Sequence, residues 1–222
     1  TPPEQAAEHD AAASADVVTA PDDSAAEHAL ASERPMRNYI FIHDTSKNMR
    51  KKKRIGMMQT AIRTLLNHAS DSSRVGLWAF GHRFPSDGPD ACQDSEAIIA
   101  PDEASLIRED FDSQLNMLMS PPLGGGAPVG LALSNAIEDA KAFPEPKELL
   151  MFVVDLNECK DKPLEKMKAA CQVPDLHLSL VGIGLKRDLQ VMQEAGIDQL
   201  GCVDVINIMT PEEGDALPNL LL

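Results

Sequence analysis

Asp44, Ser46 and Asn48 put a carboxylate, a hydroxyl and a carboxamide two residues apart. Oxygen donors at that spacing suit a hard divalent cation such as Mg²⁺ or Ca²⁺ rather than zinc. They directly follow Asn38-Tyr39-Ile40-Phe41-Ile42-His43, a run rich in Ile and aromatics that reads as a buried strand. Beyond them Ile55, Met58, Ile62, Leu65 and Leu66 recur at helical spacing, which predicts an amphipathic helix. A strand, an oxygen-rich loop and a helix bring these donors to the carboxyl edge of a sheet, where open α/β folds build their sites. Two more segments carry candidate chemistry: a glycine-rich loop, Gly124-Gly125-Gly126-Ala127-Pro128, opening a second helix, and Asp155, closing the apolar run 149–154.

The elements that must position these groups alternate along the chain. Strands are predicted at 38–44, 74–81, 96–100, 148–155, 176–184 and 202–208, the 96–100 segment being weaker and fitting a sheet edge. Helices are predicted at 54–69, 103–118, 127–142, 163–172, 187–195 and 211–221. The runs at 149–154 and 178–183 are almost unbroken apolar sequence, as in strands covered by helices on both faces. This alternation argues for an α/β fold with a doubly wound, mostly parallel sheet. Residues 1–34 are rich in Ala, Asp, Glu and Pro and hold no aromatic residue, so they are expected to be a disordered acidic leader, a tether. The folded domain is expected over 35–222.

Composition excludes several functions. The formal charge is −15 over 222 residues, and eight acids and one arginine give residues 1–34 −7 of it. Neither a nucleic acid nor an anionic lipid surface suits such a chain. Apolar residues make up 43% and aromatics 4%, so the core must be mainly aliphatic and Met. No apolar run reaches the roughly eighteen residues that a membrane-spanning helix needs. Gly124-Gly125-Gly126 lacks the Lys-Ser/Thr that a phosphate-binding loop requires.

In order and context the motifs resemble the von Willebrand factor A (vWA) family: a strand ending in Asp44, Val75-Gly76-Leu77 leading to Gly81-His82-Arg83, Cys92 close to Asp94, the Gly-rich loop running into Gly130-Leu131-Ala132-Leu133, and Val153-Val154-Asp155. The likeness covers 38 to about 208, and the secreted bacterial members are the nearest in pattern. It implies six strands in the order 3-2-1-4-5-6 with one antiparallel edge strand near 96–100 and helices on both faces. It also implies a metal-ion-dependent adhesion site at Asp44, Ser46, Asn48 and Asp155. Two departures degrade that site. Asn48 stands where the family has a second serine, and Ala127 stands where it has a threonine and offers no ligand. Since a hard cation wants six or more oxygens, the expectation is no cofactor, or weakly bound Mg²⁺ or Ca²⁺.

That strand order puts Cys92 and Cys159 in loops at the carboxyl edge, and Cys171 and Cys202 at the opposite edge. It therefore favours the pairs Cys92–Cys159 and Cys171–Cys202; the alternative is four reduced, buried thiols in a cytosolic protein. With a chain that begins at Thr1, disulfides fit a periplasmic or secreted protein whose signal peptide has been removed, and reduced thiols fit a cytoplasmic one with a trimmed terminus.

The run Arg50, Lys51, Lys52, Lys53 and Arg54 opposes the dipole of the helix it opens, so helix stability does not explain it. It reads either as a partner-binding rim, engaging an acidic protein, or as a solvated loop that balances the acidic chain. His43 and His82 are expected to be hydrogen-bonded structural histidines, and Trp78 is expected in the core. Met57, Met58, Met117, Met119, Met151 and Met167 are expected to fill core gaps. The functional expectation is a non-catalytic protein–protein interaction domain. A permanently packed subunit of a larger complex is the first alternative, and an aspartate-dependent phosphohydrolase the second. For that hydrolase the general acid is missing, because Ser46 stands at its position. No G-x-S-x-G elbow supports a serine triad.

Overall fold

Apolar strand runs and amphipathic helices alternate through residues 36–50, 54–118, 124–144, 146–208 and 210–221, which the computed structural model describes. The leader 1–34, Lys51, Lys52, Lys53 and Met119 lie outside the described residues. The elements are β1 (Asn38–Asp44), α1 (Arg54–His68), β2 (Arg74–Phe80), β3 (Ser95–Glu103), α2 (Ala104–Met117), α3 (Val129–Lys141), β4 (Lys147–Val153), α4 (Pro163–Ala170), β5 (Leu176–Ile183), α5 (Lys186–Glu194), β6 (Val203–Ile208) and α6 (Pro211–Leu221). Short 3₁₀ turns stand at Ala91–Gln93 and Ile197–Gln199. The strands form one sheet in the order β3-β2-β1-β4-β5-β6, as expected. Only the β2–β3 pair is antiparallel.

The central strands are apolar on both sides because each side is roofed. Ile40, Ile42, Leu149, Met151, Leu178 and Leu180 pack with α3, α4 and α5. Phe41, Leu150, Phe152 and Val181, one residue out of phase, pack with α1, α2 and Leu217 of α6. The period-2 alternation of a strand is thus present, but both phases are hydrophobic. Met58, Met151 and Met167 are buried as expected. Met117 is not: it ends α2 on the outer side and is 61% exposed. Trp78 is half-buried, packed against the core rather than within it, and its indole N–H donates to half-buried Asp139 at 2.8 Å.

The edge strand β3 is longer than its apolar segment predicts. Pairing with β2 runs from Arg74–Glu103 to Phe80–Ser95, with an irregularity around Leu77. An edge strand is hydrogen-bonded on one side only and tolerates Glu96, Pro101 and Asp102, which hydrophobicity reads as a break. At the amino edge Asn38 binds three segments together. Its amide donates to the carbonyls of Pro144 (2.7 Å) and Pro146 (3.1 Å), and its Oδ1 accepts the Arg74 N–H (2.9 Å).

Both disulfides form as paired above, with Cα separations of 5.5 Å for Cys92–Cys159 and 5.6 Å for Cys171–Cys202. Two such bridges point to an oxidising environment. Among the described residues no helix is long and apolar enough to cross a membrane.

Candidate functional site

Asp44 is the last residue of β1 and is fully buried. Its Oδ1 accepts the Ser46 N–H at 2.8 Å, and its Oδ2 accepts the Val154 N–H, just past β4, at 3.3 Å. The neighbouring strands β1 and β4 therefore deliver Asp44 and Asp155 to the same edge. Thr45 fixes the exit of the chain: its N–H donates to the Phe80 carbonyl at 3.0 Å, and its hydroxyl donates to the same oxygen.

Glycines let three loops close over this point. The Lys47 N–H donates to the Gly125 carbonyl (3.3 Å), and the Gly125 N–H donates to the Gly81 carbonyl (2.7 Å). Gly81 has φ +77°, and a Cβ there would lie 2.6 Å from the Gly126 carbonyl and 3.0 Å from the Ser46 backbone. Only glycine fits both the backbone angle and the gap. The glycine-rich loop is thus a packing device, seated against the 44–48 loop.

The Gly81-His82-Arg83 turn is held by buried Asp94. Its carboxylate accepts the Arg83 N–H (2.6 Å), the Arg83 Nε–H (2.9 Å) and the Phe84 N–H (3.3 Å). His82 Nε2 lies 3.2 Å from Glu96 Oε2, a hydrogen-bonded structural histidine as expected. His43 differs from expectation. It is fully buried on the α1 side, and neither ring nitrogen makes a hydrogen bond of good geometry, the backbone of Asp44 and its own backbone being the polar groups at hand. Burial pushes its pKa down to about 3, so the ring is neutral.

Burial also dominates at Asp44 and lifts its pKa to about 6, with the Glu158 charge adding to the rise. The Ser46 side chain and the Ser46 and Val154 amides work in the opposite direction. The Ser46 hydroxyl is near enough to favour the carboxylate, yet its Oγ is buried without a hydrogen bond of good geometry.

The other predicted ligands are less well placed. Asp155 stands two residues past the end of β4, and its Oδ1 accepts its own loop's Asn157 N–H at 2.8 Å. Val154 continues the apolar run, but the β4–β5 pairing ends at Val153–Gly182, so the strand stops sooner than hydrophobicity predicts. Asn48 is half-buried, and its backbone carbonyl accepts Arg54 Nη1 at 3.0 Å. Ala127 is fully buried among the apolar residues under α3. Of the basic run, Arg50 lies against Gly124 and Arg54 turns back to the 44–48 loop.

Two participants escape the sequence reading. Lys47 Nζ lies 3.6 Å from Glu158 Oε1 across the top of the edge, and Glu158 Oε2 is buried and unpaired. The only hint in the sequence is that Glu158 adjoins Cys159, whose bridge fixes the loop. Asp161 is the other absentee: its Oδ2 accepts the Leu131 N–H at 2.8 Å, capping α3 from a distant loop.

A hard cation would find the Asp44 carboxylate, the unbonded Ser46 hydroxyl and the spare Glu158 oxygen here. It would find no side-chain oxygen at Ala127, whose carbonyl accepts the Val129 N–H, and Asp155 accepts the Asn157 N–H of its own loop. These donors do not make up a six-oxygen shell. Among the described residues no group of three His, Cys, Asp or Glu side chains is arranged to hold a metal ion.

No protein-family model and no curated protein matches this sequence. Solved structures do. The von Willebrand factor type A protein of Catenulispora acidiphila aligns over 83% of this chain at 13% identity, TM-score 0.61. The pilus adhesin SpaC of Lactobacillus rhamnosus GG aligns over 86% at 14% identity, TM-score 0.58. Proximal thread matrix protein 1 of the mussel byssus, in a form whose metal-ion-dependent adhesion site is occupied by zinc, aligns over 84% at 16% identity, TM-score 0.56. The chain spans 40%, 30% and 46% of their respective lengths. The chain has the vWA fold.

Proposed function

We propose that this chain is a non-catalytic interaction domain that binds a protein partner at the carboxyl edge of its sheet, outside the cytoplasm, with a metal site too depleted to carry the contact. The observation that supports it is the closure of that edge: Asp44 and Ser46 are buried beneath the glycine-rich loop, with a Lys47–Glu158 ion pair over them. A lysine thus supplies positive charge where relatives would use a cation, and the basic sequence run Arg50, Lys51, Lys52, Lys53 and Arg54, whose three lysines lie outside the described residues, adds charge suited to an acidic partner. The adhesin among the structures of this fold supports the same class of role. The two disulfides support a secreted or periplasmic setting.

The test compares the proteins retained by the wild-type chain with those retained by a Lys47→Glu, Lys51→Glu, Lys52→Glu, Lys53→Glu variant. A defined partner lost from the variant is the expected result; identical retention removes this surface from the reading. Calorimetric titration with Mg²⁺, Mn²⁺ and Ca²⁺ should give no binding tighter than the millimolar range.

One observation favours a permanently packed subunit instead. Leu106 and Met117 lie on one side of α2 and are 69% and 61% exposed. A chain that aggregates alone and becomes soluble only with a partner would support that reading; a stable monomer in sedimentation would dismiss it. A phosphatase activity lost on Asp44→Asn would replace both.

A further inference from the structure

The neighbouring half of the carboxyl edge is open. Between the loop after β4 and the start of α5 lies a cleft of about 340 Å³, whose apolar wall is Leu156, Pro163, Leu164 and Val191. Leu156 and Pro163 are buried, Leu164 half-buried, and Val191, facing them from α5, is 45% exposed. The cleft shares Asn157, Arg187 and Asp188 with an adjoining hollow of about 380 Å³ that also takes in Asp155 and Glu158. Three carboxylates there face Arg187; Asp155 holds the Asn157 N–H through Oδ1, and Glu158 pairs with Lys47 through Oε1 at 3.6 Å while its buried Oε2 has no hydrogen bond. Lys162, the other cation at the apolar end, is occupied by Glu165 at 3.1 Å.

We propose that this cleft docks a segment of a partner protein that presents an aliphatic side chain beside a lysine or arginine. The aliphatic group would replace water on Leu156, Leu164 and Val191, and the cation would stand among Asp155, Glu158 and Asp188. The volume, near the lower limit for ligand sites, suits one or two side chains rather than a folded element. Charge selects the occupant: an acidic segment, including the chain's own residues 1–34 with their net −7, is repelled by the hollow. This assignment takes its setting from the interaction reading above, but its chemistry is opposite to that of the basic rim, so the two can fail separately.

The experiment uses the full chain, labelled for NMR, in EDTA. It is titrated with acetyl-Ala-Leu-Lys-Ala-amide and with acetyl-Ala-Leu-Glu-Ala-amide. The expected result is saturable shifts of the Leu156, Leu164 and Val191 methyls with the lysine peptide, at an affinity at least about tenfold above that of the glutamate peptide. Asp188→Asn and Val191→Ser, both at partly exposed positions of α5, should each weaken it several-fold while leaving the spectrum dispersed. Equal affinity for the two peptides, shifts gathered around Asp44 instead, or no saturable shift would each overturn the proposal. Concentration-dependent self-association lost in the Val191→Ser variant would overturn it too, by making a second copy the occupant. None of these outcomes depends on the Lys47 and Lys51–53 test, so that test can fail without this one failing.

Discussion

The two halves of the carboxyl edge are built on opposite plans. Over β1 and β2, glycine backbones, a buried carboxylate and a buried aspartate hub bring three loops into contact. Over β4 and β5, the loop and the first turn of α5 meet through the Leu156 backbone and Asp188, and flank a cleft whose side chains face solvent. The closed half spends its polar groups on its own backbone. The open half gathers three carboxylates, Asp155, Glu158 and Asp188, of which Glu158 keeps one buried oxygen without a hydrogen bond. Position at the edge of an α/β sheet therefore does not decide how open the surface is; what matters is which loops have already satisfied each other.

The largest test of the closed half is its response to acid. His43 is neutral when folded, with a pKa of about 3 against 6.5 when unfolded, so the unfolded chain takes up its proton first and stability falls as pH drops from 6.5 towards 3. Asp44 works oppositely. Its folded pKa of about 6 against 3.8 makes the folded chain take the proton first, so stability rises as pH drops from 6 to 3.8. At about 1.4 kcal/mol per pH unit, His43 alone loses roughly 5 kcal/mol and Asp44 returns roughly 3. Asp44→Asn should therefore lose stability relative to wild type by roughly 3 kcal/mol between pH 6 and 3.8, read from urea midpoints. A difference independent of pH would mean that Asp44 is solvated and the half is not closed.

Next in size are the bridges. Replacing Cys92 and Cys159 by Ala should cost about 2–5 kcal/mol, as should Cys171 and Cys202. Only the first pair should also raise amide exchange at Lys47 and Gly125. Gly81→Ala combines a left-handed backbone with a 2.6 Å approach and should cost about 3 kcal/mol. Gly196→Ala has a similar φ of +69° but nothing within 4 Å and should cost about 1 kcal/mol. Equal losses at the two glycines would deny the tight seal. Ala127→Thr, inserting a hydroxyl into a dry site, should cost about 1–3 kcal/mol while raising Mg²⁺ affinity when combined with Asn48→Ser. In the open half, Asp188→Asn should change stability by less than about 0.5 kcal/mol.

The order and type of the elements were legible because central strands such as 149–153 are short unbroken apolar runs, while helices such as α1 carry a helical period. Strand order was implied by the resemblance to the vWA family that the order of the motifs carries, and the cysteine pairs followed from that strand order. The ends of elements were less legible. Val154 is as apolar as Val153, but its N–H turns to the Asp44 carboxylate instead of the ladder, which ends at Val153–Gly182; β3 hides its length behind Glu96 and Asp102. The site suffered most. Asp94 and Asp161 act on amides 10 and 30 residues away, and no local pattern encodes such reach. His43 reads as an ordinary polar residue until its complete burial is seen.

The loop after β4 has a double attachment. Its Val154 amide reaches the Asp44 carboxylate, its Leu156 walls the cleft, and its Cys159 is bonded to Cys92 in the loop preceding β3. Thiol reductants would thus untie the tether beneath two surfaces with a single cut. A redox change would register in both at once, even though they share no ligand.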